Sequence, residues 1–348
     1  MSFGSPVPIG QNITEAVQAL RQGKLLGFPT ETVYGLGADA LNASAVSAVF
    51  KAKGRPFDHP LIVHVASADE LDNWAIDIPP IARLLAQTFW PGPLTLVLKK
   101  HPRVPMVVTG GQETVALRMP NHPLTLRLLD RFGGGIVGPS ANRYQRVSPT
   151  SAQDVLEELG GQLAYILDGG ACTVGIESTI VRCDSEAKLQ ILRQGAIGPS
   201  SLQSIQSSAS TLILAKASSG TKTPKVPGSD AVHYAPIKPV FMATYPELQE
   251  RLLAVMTSNP DQLISVLSFS SKPNAFSAWQ ALDWQVIPRD HVVYQQQLYA
   301  RLRAFDSASA TQLWIERVPD DKEEWLPVCD RLQRVTAKHH IASLYYKK

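Results

Sequence analysis

The sequence lacks the cysteine pairs that would define a disulfide or zinc framework. Its three cysteines, Cys172, Cys183 and Cys329, are far apart, and none forms a C-x-x-C pair. That excludes a cysteine-stapled or cysteine-metal fold and leaves inert thiols in a reducing compartment. Long apolar runs are missing too: none approaches the roughly 18–20 residues of a membrane helix. The N-terminus shows no charged, then apolar, then small-residue pattern. The expectation is a cytoplasmic protein with no membrane partner. Charge of one sign is also scarce. Lysine plus arginine number 33 against 30 aspartate plus glutamate, a net +3. Such a balance argues against wholesale wrapping of nucleic acid, while a local basic site for phosphates stays open. No G-x-x-x-x-G-K-[ST], H-E-x-x-H or G-x-S-x-G occurs, and no metal-ligating set is expected. The nearest dinucleotide match, Gly35-Leu-Gly37-Ala-Asp-Ala40, does not open directly off a strand and reads as turn glycines.

At 348 residues, two domains are the natural expectation. Hydrophobic residues make up 44%, enough for a real core. Helical spacing is clear in 13–22, 43–53, 123–132 and from 150 to Gly160. Asn42 can cap the second of these and Gly54 can end it. Ser67 to Glu70 has the form of a capping box. Strands are expected at 24–29, 61–66, 94–99, 114–119, 135–138, 164–167, 178–182 and 189–192. This interleaving predicts one mixed α/β domain over 1–215. From Ser200 to Ser229 there are nine serines and no aromatic residue, so a linker is expected over 216–237. Beyond it, strands at 239–243, 263–268, 285–288 and 312–317 alternate with helices. That pattern predicts a small parallel, Rossmann-like domain over 238–348.

Polar clusters sit at the ends of these elements. Thr30 to Gly35 follows a strand, where α/β folds place ligands; a threonine-rich turn is the even-weighted alternative. Lys51, Lys53 and Arg55 end a helix, and complementing its dipole suffices for Lys51. Alternation puts Arg118 on the strand face opposite Val115, Leu117 and Met119, and Arg193 closes another strand. Cations at several strand ends suggest a cavity for phosphate and carboxylate; a solvated rim is the alternative. Gly138-Pro-Ser140-Ala-Asn142 and Ser148-Pro-Thr150 can bring backbone N–H groups to a phosphate, or simply make turns.

In order, the clusters resemble one family. They are Phe28-Pro-Thr-Glu-Thr-Val-Tyr-Gly-Leu-Gly37, Lys53-Gly-Arg55-Pro, Pro60-Leu-Ile-Val-His64, Trp90-Pro-Gly-Pro-Leu-Thr95, Val115-Ala-Leu-Arg-Met-Pro120, Pro139-Ser-Ala-Asn142, Ser148-Pro-Thr150, Asp168-Gly-Gly170, Glu177-Ser-Thr-Ile180 and His233-Tyr-Ala-Pro236. The set resembles the two-domain threonylcarbamoyl-AMP synthases of the YrdC family. The resemblance implies a twisted mixed sheet around a basic cavity, joined to the smaller domain. It implies synthesis of threonylcarbamoyl-AMP and pyrophosphate from L-threonine, bicarbonate or CO2, and ATP with Mg2+. A downstream transferase complex would carry the group to an adenosine beside the tRNA anticodon; a weak direct tRNA contact is left open. Threonine contacts would fall on Thr32, His64, Arg118, Gly138 and Ser178. ATP contacts would fall on Arg55, His59, Thr114, Ser140, Asn142, Ser148, Arg193 and Tyr234, with Lys53 and Arg55 holding phosphates. Position 59 is His where many relatives carry Asn, which makes that contact pH-sensitive. The linker before His233 lacks the basic residues some relatives place there.

Two other functions fit parts of the sequence less well. A related hydrogenase-maturation carbamoyltransferase is much longer and Cys-rich, unlike this chain. An RNA-binding module would need aromatics interleaved along a basic stripe, and none is seen.

Overall fold

The computed structural model describes residues 7–184, 188–205, 211–214, 224–228 and 233–345. Contacts divide the chain into two units: 1–144 with 148–229, and 145–147 with 230–348. Within the expected linker, 216–223 and 229–232 lie outside the described residues.

The first unit holds strands β1 (Ile9–Gly10), β2 (Leu26–Phe28), β3 (Gly35–Asp39), β4 (Ile62–His64), β5 (Leu94–Lys99), β6 (Thr114–Arg118), β7 (Ile136–Val137), β8 (Tyr165–Leu167), β9 (Thr179–Cys183), β10 (Lys188–Arg193) and β11 (Thr211–Leu214). They form one mixed sheet in the order β1-β8-β2-β3-β7-β4-β6-β5-β9-β10-β11. Helices begin where the sequence supplies caps. Asn12 accepts from Thr14 N and Glu15 N ahead of Ile13–Arg21, and Asn42 from Ser44 N and Ala45 N ahead of Ala43–Lys53. Gly54, at φ 64°, ends the second in the left-handed region that glycine enters without penalty. Capping boxes form at Ser67 with Glu70 and at Ser151 with Asp154.

One expectation is overturned. Gly35 to Asp39 is a strand, antiparallel to β2, and not a turn. A Cβ at Gly35 would lie 2.5 Å from Phe28 Cζ, so glycine serves close packing in a buried strand. Residues 211–214 also pair, parallel to β10, inside the serine-rich stretch.

In the second unit β12 (Val240–Ala243), β13 (Ile264–Ser268), β14 (Leu282–Val286) and β15 (Gln312–Glu316) form an all-parallel sheet, order β12-β15-β13-β14. This is the small Rossmann-like sheet expected, with β14 starting three residues earlier than the periodicity suggested. Its core includes Leu248, Leu252, Ile264, Val266 and Phe276.

Candidate active site

Strand alternation sorts the central strands of the first unit into two faces. Val63, Leu96, Leu98, Leu117, Val181, Leu189 and Ile191 point into the large core. The other face carries a smaller apolar cluster of Ile62, Val97, Ala116 and Ile180, covered by Val226. In register with that cluster stand His64 opposite Arg118, and Thr95 opposite Ile180. Arg193 would fall on the core side by simple alternation. A β-bulge between Ile191 and Arg193 sets Arg193 opposite Ile180 instead, so Leu192 and Arg193 share the site face.

Arg118 is 4% exposed and meets three groups. Its Nη1 donates to Thr32 Oγ1 (2.8 Å), its Nε to Gly92 O (3.3 Å), and its Nη2 lies 2.7 Å from Glu31 Oε1. The last approach is short but off-line for a hydrogen bond, so it is charge pairing. Thr30 donates to Val33 O (2.6 Å), which makes Thr32 the donor in the 2.9 Å contact between the two hydroxyls. Thr32 Oγ1 therefore accepts from the guanidinium and donates to Thr30.

His64 packs edge-on against Phe28 at 5.4 Å. Burial, then the neighbouring Arg118 charge, push its pKa down to about 3, so the ring is neutral. Gly138 lies against both: a Cβ there would sit 2.6 Å from Phe28 Cζ and 2.7 Å from His64 Nδ1. Ser178 Oγ is 2.7 Å from Thr95 Oγ1. Arg193 brackets Ser178, donating to its carbonyl from Nε (3.1 Å) and Nη2 (2.9 Å) and to its Oγ (3.1 Å). Its Nη1 donates to Pro227 O (2.9 Å). The four residues Thr32, His64, Arg118 and Ser178 thus line one buried patch, with Gly138 beside it.

The second patch is built on the loop after β7. Lys53 Nζ donates to the carbonyls of Ser140 and Asn142, the latter at 2.6 Å. Burial and the Arg55 charge hold the Lys53 pKa well below the usual lysine range. Its terminal nitrogen is committed to holding the 140–142 loop in shape. Arg55 is buried and donates to Pro60 O (3.2 Å). Ser148 is fully buried and donates to Glu177 Oε1 at 2.7 Å. His59 stands edge-on to Tyr144 at 5.8 Å, with Asp58 3.8 Å from its Nε2. Thr114 lines a cavity of about 720 Å³ with Arg182, Gln112 and Lys225. Lys225 is tied there by Gln112 (2.9 and 3.2 Å) and by Asp58. Tyr234 belongs to the second unit. It has φ 60°, is buried, and stacks at 5.6 Å on Tyr299 with the Arg331 guanidinium 5.2 Å from its ring.

Glu31, Thr95 and Glu177 were not singled out as site residues from the sequence. All three sit inside the motifs quoted above, and that membership was the available signal.

A family model described as "Telomere recombination", for the Sua5, YciO and YrdC proteins, matches residues 18–195. One described as "Threonylcarbamoyl-AMP synthase, C-terminal domain" matches 197–337. A threonylcarbamoyl-AMP synthase from Bacillus subtilis is 37% identical over 311 residues, 88% of either chain. One from Pyrococcus abyssi is 45% identical over 229 residues, 65% of this chain and 66% of that one. The crystal structure of P. abyssi Sua5 complexed with L-threonine superposes with TM-score 0.83 at 34% identity, covering 95% of this chain and 97% of that one.

Proposed function

The chain belongs to the Sua5/YciO/YrdC family, and from that premise we propose that it joins L-threonine, CO2 and ATP into threonylcarbamoyl-AMP, releasing pyrophosphate. The carrying observation is a pair of buried polar patches within the first unit. One offers Arg118 with hydroxyls and a neutral imidazole; the other is a turn held open by Lys53 beside Arg55. The first suits an amino acid whose carboxylate meets a guanidinium and whose side chain carries a hydroxyl. The second suits a polyphosphate.

The chemistry needs no protein nucleophile. The threonine amine loses a proton and bonds to CO2 carbon, giving a carbamate. A carbamate oxygen then bonds to the α-phosphorus as the bond to the β-phosphate oxygen breaks. The protein contributes positioning and fixed positive charge. Arg55 and Arg193 supply that charge; Ser140, Asn142, Ser148, Thr114 and His59 are the remaining proposed nucleotide contacts within the first unit. Among the described residues no three His, Cys, Asp or Glu side chains cluster as a metal site. Mg2+ fits as an ion carried by the nucleotide phosphates and water, with Glu177 the nearby buried oxygen donor. Bound there, it would neutralise phosphate charge.

The product is a mixed anhydride, so a separate transferase acting on tRNA is the proposed consumer. No helix among the described residues is long and apolar enough to cross a membrane, and we place the reaction in the cytoplasm. Pyrophosphate should appear only with ATP, Mg2+, L-threonine and bicarbonate together. Equal release without threonine would refute the reading.

A further inference from the structure

Glu31 stands 2.7 Å from Arg118 with both carboxylate oxygens buried and no hydrogen-bond donor to either among the described residues. A carboxylate is rarely buried this way, because it loses its water and gains only a charge partner. Two opposite charges stand at the centre of the threonine patch, with the Arg193 guanidinium at its edge on Ser178. Arg118 contributes one positive charge and Glu31 one negative. His64 is neutral, its pKa pushed down to about 3 by burial. His122, near Glu31, is also pushed down by burial, and burial pushes the Cys172 thiol up, so it keeps its proton. The nearby Asp154 carboxylate is engaged at a helix start, accepting from Thr150 N (2.8 Å) and Ser151 N (3.0 Å). The Arg118–Glu31 pair is therefore electrically neutral before any ligand arrives.

We propose that Glu31 sets the charge selectivity of this patch: it matches Arg118 to a net-neutral zwitterion, an α-amino acid with its ammonium, and against the anion of a hydroxy acid. The inference rests on the reading that Arg118 meets the threonine carboxylate. A zwitterion brings an ammonium that the Glu31 carboxylate attracts; an anion of the same shape lacks it and meets only repulsion from Glu31, while the Arg193 charge beside Ser178 acts on the carboxylate of both alike. Coulomb energy falls only as the inverse of distance, so Glu31 discriminates without touching the ligand. A merely structural Glu31, one that only steadies Arg118, would serve both ligands alike.

Calorimetric affinities on the full-length chain separate these cases. The ligands are L-threonine and the hydroxy acid in which a hydroxyl replaces its ammonium. The wild type should prefer threonine by about tenfold or more. Glu31→Gln should shrink that preference by about tenfold, and Glu31→Asp, which keeps the charge, should retain it. The proposal is overturned by a wild type without preference, by Glu31→Gln weakening both ligands equally, or by Glu31→Asp losing the preference. If Glu31→Gln does not fold, the wild-type and Glu31→Asp ratios decide. A wild type that binds neither ligand refutes the threonine reading itself.

Discussion

Arg118 directs all three guanidinium nitrogens at protein groups: Gly92 O, Thr32 Oγ1 and the Glu31 carboxylate. Its plane is fixed in advance, so a substrate carboxylate meets an oriented cation and little ordering cost remains to be met on binding. Arg118→Ala should weaken L-threonine binding at least about tenfold, consistent with roughly 1.5–3 kcal/mol for a charge-assisted contact. ATP binding should change much less. Titration of each ligand separately checks the split, and equal losses would undo the assignment. At this scale the sequence was legible in residue type and silent on contacts. Alternation placed Arg118 opposite the core-facing Leu117, as found. A cation was evident at position 53, but no pattern said that its ammonium would meet two carbonyls of the 140–142 loop. That depends on a fold bringing together residues some ninety positions apart.

Elements were easier to read where caps and periodicity agreed. Ala43–Lys53 and Pro123–Phe132 have the boundaries their spacing predicted, with Asn42, Gly54 and Gly133 as punctuation. Gly35–Asp39 misled because strand formers are absent from it. Only the approach of Phe28, a tertiary fact, explains glycine there. Gly138 is a second such case. Gly138→Ala would press a methyl against Phe28 and His64, at 2.6 and 2.7 Å before relaxation. The expected cost is about 1–3 kcal/mol of stability, with weaker threonine binding because His64 must shift. Denaturant unfolding beside a threonine titration tests both; an alanine variant of unchanged stability and affinity would refute the packing account.

Over the whole molecule, the two α/β units each have their own core. A consequence for the entire chain comes from one buried ring. His64 stays neutral in the fold down to about pH 3, whereas an unfolded chain protonates it below about 6.5. The folded pKa is depressed, so this stabilisation is complete above about 6.5 and declines as pH falls toward about 3. The slope is about 1.4 kcal/mol per pH unit for one proton. His122, shifted in the same direction, adds to the decline. Urea unfolding between about pH 7 and about pH 5 should show it, and His64→Gln should remove about one proton from the slope. A variant with the wild-type slope would contradict the buried neutral ring.

The bulge at Leu192 has an implication for length changes in this strand. Leu192 is a spare position: a ladder without it would still set Arg193 opposite Ile180. One residue more would either keep the bulge and turn the guanidinium toward the side where Leu189 and Ile191 pack, or be absorbed by regular alternation and carry Arg193 two pairs past Ile180, beyond the end of β9. Geometry alone therefore makes this strand tolerant of a deletion at that point and intolerant of an insertion, an asymmetry that no comparison of side chains would reveal.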